Sequence, residues 1–216
     1  MENPDLNLSA KDYATRITKG ALGAVPFVGG LLGELLDIAV YPQQQKKLNE
    51  WFDFVDTTLN SLIEKGEKTK EDIFGDEEFL SIFQKTSRIY TSNVEEHKKP
   101  ILQAFLKASV SRKIPLDKKY IFLRIIDELT ETQLLILKDI YENEKSDSYQ
   151  YKTKLEEALE KKYSDGDKQY LRLLIKGLED FSLLGYGSAE VTVDGANQWN
   201  MKTSRIAKDL FEYLEE

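Results

Sequence analysis

The stretch Ala21–Val40, ALGAVPFVGGLLGELLDIAV, is the one on which the reading of this chain turns. It holds no Lys or Arg, and its only charges are Glu34 and Asp37. Gly23, Gly29, Gly30 and Gly33 sit in it beside Pro26 and Phe27, with Gly20 just before. A surface helix needs a polar face, which is missing here. A core helix avoids glycine, which weakens it by about 0.8–1.0 kcal/mol per residue against alanine. Either something presses close against this backbone, or the segment changes environment. Pro26 lacks an amide hydrogen and disfavours helix at Val25, so the chain breaks there. A second helix starts after Gly29-Gly30 and carries Leu31, Leu35, Leu36 and Val40, which makes residues 20–40 an apolar hairpin.

That hairpin has three readings. A permanent membrane span needs about 20 apolar residues, a length this stretch just reaches. Glu34 and Asp37 would each cost about 2.5–3.5 kcal/mol near its centre. Burial within a helical bundle is the favoured resting state. There Gly29 and Gly33, four apart, admit a second helix, and each buried leucine returns about 1.5–3 kcal/mol. The third reading adds release: packed at rest, the hairpin enters or lines a membrane on activation, where Gly-x-x-x-Gly faces also pack.

Composition bounds the rest. The chain has 216 residues, 41% hydrophobic and 31% charged, enough apolar material for a core and too much for disorder. Its net charge of −8 opposes general nucleic-acid binding, which wants a basic surface. The imbalance lies mostly in residues 115–216, with 15 Lys and Arg against 21 Asp and Glu. Zero cysteines excludes disulfides, thiolate metal sites and cysteine nucleophiles, and fits a reducing cytosol. The acidic, polar start MENPDLNLSAKD is no signal peptide, so a cytoplasmic location is expected, with membrane association on activation.

Outward from the hairpin, Ser9-Ala10-Lys11-Asp12 caps a first short helix. Tyr41-Pro42 is a kink or the first turn of the next helix. Leu48, Trp51, Phe52, Val55, Leu59, Leu62 and Ile63 fall on one helical face up to Gly66. Asp76 starts a helix carrying Phe79, Leu80, Phe83 and Tyr90, and Asn93 to Glu96 has capping-box spacing. Pro100 kinks or opens the next helix, which carries Leu102, Phe105 and Leu106. Ile114-Pro115 marks a domain boundary, giving a helical bundle over 1–114 and a second domain over 115–216. Tyr120–Ile126 is apolar nearly all round and reads as a central buried helix. Thr130-Glu-Thr-Gln133 is a capping box. Tyr151–Tyr163 reads as a helix on Leu155, Ala158 and Leu159, ended by Ser164-Asp165-Gly166. The following helix carries Leu171, Leu174 and Leu178 and stops at Gly185. Ala189–Val193 alternates as a strand, Asp194-Gly195 turns, and Gln198–Met201 pairs back. Thr203 or Ser204 caps a final helix with Ala207, Leu210, Phe211 and Leu214 inward.

The expected architecture is mainly α, with one small β-hairpin in a C-terminal winged-helix-like module. The segment from Leu184 to Glu216 resembles the wing region of bacterial winged-helix proteins, with Thr203 at the matching Thr and Ala207 where those families place a Gly. On Val25-Pro-Phe-Val-Gly-Gly30, Asp127-Glu-Leu-Thr130 and Leu183-Leu-Gly185, the whole chain resembles bacterial abortive-infection-alpha proteins and their uncharacterised relatives. That resemblance implies a Gly-rich apolar N-terminus, a helical middle, a winged-helix-like end and a role in phage defence, with no catalytic residues.

Chemistry is sparse. The one histidine, His97, lies in the charged run Glu95–Lys99 and reads as an exposed helix residue. With no second base there is no nucleophile–base pair to propose. Glu156, Glu157 and Glu160 form a solvated face, and the glycines lack the Lys-Ser/Thr of a phosphate loop. No metal or cofactor is expected, and an enzyme is the least supported class. The favoured expectation is a non-enzymatic defence effector that acts on membrane lipid through Gly23, Pro26, Phe27, Gly29, Gly30, Leu31, Gly33, Leu35 and Leu36. Self-association or a protein partner is the next expectation. The alternative functions are a winged-helix DNA-binding regulator and a winged-helix protein-interaction scaffold: Lys168, Arg172 and Lys176 repeat every four residues on one helix side, with Lys202 and Arg205 by the hairpin, as a recognition face would need, although nucleic acid is the less favoured partner. Asp165, Asp167, Glu179 and Asp180 crowd the same helix and oppose phosphate.

Overall fold

Glycine, proline and capping residues at the ends of amphipathic runs set the helix limits in the computed structural model. It describes residues 42–66, 69–92, 97–145, 155–186 and 201–215. The apolar stretch 20–40 lies outside the described residues, as do the expected first helix, the capping box at 93–96 and the expected strand at 189–193. The described chain is mainly α with one two-stranded antiparallel sheet. It divides into two compact units, Met1–Leu123 and Arg124–Glu216.

In the first unit, α1 (Pro42–Glu64) opens on proline at its first position, where a missing amide hydrogen costs nothing. It closes at Gly66, whose φ of +69° favours glycine. Helix α2 (Lys70–Phe74) carries a capping box between Thr69 and Asp72. Asp76 accepts from the Phe79 amide at 3.1 Å to cap α3 (Glu77–Ser92). Helix α4 runs over Lys98–Ser111, so Pro100 falls in the first turn, where its missing amide hydrogen is tolerated. Helix α1 packs on α3, and α3 on α4. The expected stripe is the core: Leu48, Trp51, Phe52, Val55, Leu59 and Leu62 are buried, and only Ile63 is half-buried. The Trp51 ring lies 4.6 Å from that of Tyr90, and its Nε1–H donates to Ser87 Oγ at 2.8 Å. A buried indole keeps its hydrogen bond in this way.

Helix α5 (Leu116–Glu128) corrects one expectation. Phe122, Leu123, Ile125 and Ile126 are buried, but Ile121 and Arg124 are exposed, so the helix is amphipathic and not central. An apolar residue on an open face is ordinary when it stands alone.

In the second unit α6 (Glu131–Lys145) is the hub, packed by α7 (Leu155–Tyr163), α8 (Lys168–Asp180), β2 (Met201–Thr203) and α9 (Arg205–Leu214). Leu134, Ile136, Leu137, Ile140 and Tyr141 are buried along it. The capping box at Thr130 forms: Gln133 Oε1 accepts the Thr130 amide at 2.9 Å, and Thr130 Oγ1 accepts the Gln133 amide at 3.3 Å. Ala158 is exposed and Leu159 buried, so Leu159 anchors α7. Strand β1 (Leu184–Tyr186) pairs with β2 in the register Leu184↔Thr203, Gly185↔Lys202 and Tyr186↔Met201. Gly185 therefore lies in a strand and does not end the helix. Helix α8 stops at Asp180, and Ser182, with φ of +56°, takes the left-handed position. Its amide bonds Glu179 O at 2.7 Å, and the Leu183 amide bonds Leu178 O at 2.9 Å. This is the Schellman pattern with serine where glycine is usual.

Candidate functional site

The five cations that the sequence singles out all belong to the second unit. Asp167 caps α8 by accepting the Gln169 and Tyr170 amides at 2.9 and 3.1 Å. Leu171, Leu174 and Leu178, at helical spacing, are buried and orient the helix. The opposite side is then exposed, with Lys168, Gln169, Arg172, Leu173, Lys176 and Asp180 on it. Gly177 lets α8 come close to α6, since a Cβ there would lie 2.1 Å from Gln133 Nε2. That same Nε2 donates to Leu174 O at 3.1 Å.

Two of the three cations on α8 are paired. Lys176 Nζ bonds Asp180 at 2.8 Å, and Lys168 lies 3.8 Å from Glu160 of α7. The bond to Asp180 raises the Lys176 pKa above its ordinary value. Arg172 is exposed between them. Lys202 and Arg205 are also exposed, but on β2 and in the first turn of α9, elements that pack on α6. There the carboxylate of Glu144 accepts from the Thr203 amide, from Thr203 Oγ1 at 3.0 Å and from Lys208 Nζ at 2.6 Å. Glu144 thus holds the strand base to α6. Ser204, not Thr203, caps α9, accepting the Ala207 amide at 3.4 Å.

The feature beyond the cations is apolar. Among the described residues three large hydrophobic side chains are exposed, and two are on α8: Leu173 at 70% and Tyr170 at 46%. Leu173 sits between Gln169 and Lys176 on the outward face, with Tyr170 on its flank. The signal was present in the sequence, because Leu173 falls off the 171–174–178 stripe onto the charged side.

His97 is exposed at the start of α4, and Glu157 is exposed on α7. Glu157, Glu160, Lys161, Asp165, Gly166 and Lys168 line an open surface hollow of about 370 Å³. No group of three or more His, Asp or Glu among the described residues is placed to hold a metal ion. No helix among them is long and apolar enough to cross a membrane. The membrane-directed set Gly23, Pro26, Phe27, Gly29, Gly30, Leu31, Gly33, Leu35 and Leu36 lies outside the described residues. The chain matches no protein-family model, no curated protein and no solved structure.

Proposed function

We propose that this chain works by contact and not by catalysis. In this reading it is a defence effector of the abortive-infection-alpha kind whose C-terminal half is a winged-helix-like protein-binding module. Among the described residues, the order of three helices (α6, α7 and α8), a strand pair and a final helix (α9) supports the winged-helix reading of 115–216, and the small antiparallel sheet fits a wing base. The observation that carries the binding reading is Leu173, the most exposed large hydrophobic described, beside Tyr170 on one helix. Tyrosine is a frequent interface anchor, and a leucine beside it on a rigid element extends the same exposed apolar patch. A photo-crosslinking amino acid at position 173 in the native host, with one at the exposed Glu212 of α9 as control, tests this. Adducts to protein from 173 alone are expected. Equal yields from both positions, or none from 173, defeat the reading.

A second reading rests on Ala21–Leu32, which carries no charge in a chain that is 31% charged. The apolar N-terminus then acts on lipid once released. Dye release from anionic liposomes is expected from the native chain, and less from Gly33→Leu or from a form lacking residues 21–40. No release under any trigger ends membrane action.

A further inference from the structure

We draw no further inference here: the strongest candidate, the outward face of α8 around the exposed Leu173 and Tyr170, carries nothing because nothing in the structure shows what covers it, its cations Lys168 and Lys176 being paired already with Glu160 and Asp180.

Discussion

Ser182 holds a backbone conformation that disfavours any side chain. Its φ of +56° places it in the left-handed region, where an L-residue costs roughly 1–2 kcal/mol. Its amide closes the end of α8 on Glu179 O, so the conformation is imposed by the cap and by the buried pair Leu178 and Leu183. The side chain is exposed and loses nothing on removal. Ser182→Gly is therefore expected to stabilise the protein by about 0.5–1 kcal/mol, the left-handed relief less the extra chain entropy of glycine. Denaturant titration checks it, with Ser182→Ala as a control that gains nothing. An unchanged midpoint for the glycine variant would show that Ser182 is not strained. The same residue explains why Gly185 misleads in the sequence. Glycine is the usual stop, but Leu183 had to reach the core first, and that placed the stop earlier, on a serine.

At the scale of elements, the α6–α8 contact turns on Gln133 and Gly177. Gln133 Oε1 caps its own helix while Nε2 reaches Leu174 O, and only a glycine at 177 leaves room for it. Alanine for a helical glycine normally stabilises by about 1 kcal/mol. Here that gain is expected to appear in full only when Gln133 is also alanine, because Gly177→Ala alone pushes the amide off its acceptor. A double-mutant cycle by chemical denaturation measures the coupling; additive effects would mean the two residues do not meet. Helices α6 and α7 are joined through Asp139, which accepts from Lys162 Nζ at 2.7 Å and Tyr163 OH at 2.8 Å. The hydrogen bond to Asp139 raises the Lys162 pKa. Burial first, and then the bond to Asp139, raises that of Tyr163. Both groups hold their protons more tightly when folded. The stability they confer is present below about pH 10, their ordinary range, and is lost as pH rises through the folded values. Lys145 on Glu215 and Lys176 on Asp180 act in the same sense. Asp139→Asn should lower stability at neutral pH and make the alkaline decline shallower. A decline of unchanged slope would remove Asp139 from that role.

For the whole molecule, net charge decides which partners are admissible. At −8, and with Lys168 and Lys176 already paired to carboxylates, few cations are available to displace counterions from DNA. No mobility shift of duplex DNA is expected even at low salt. A shift abolished by changing Lys168, Arg172 and Lys176 to Glu would return nucleic acid to the leading place. Much of the architecture was legible in the chain itself. Apolar spacing marks α1, α3, α6 and α9, and Thr130, Asp76 and Gly66 mark their ends, because helical period and capping are local properties. The cationic row on α8 was legible for the same reason, since three residues four apart must share a side. Local pattern could not say which apolar residues would remain in water. Ile121 and Leu173 are as hydrophobic as their buried neighbours, and only the arrangement of packed elements left them exposed. Nor could it show that Glu144 would meet Thr203 and Lys208, or that Gln133 would need Gly177. Those pairs are far apart in sequence, and tertiary packing alone brings them within hydrogen-bond reach.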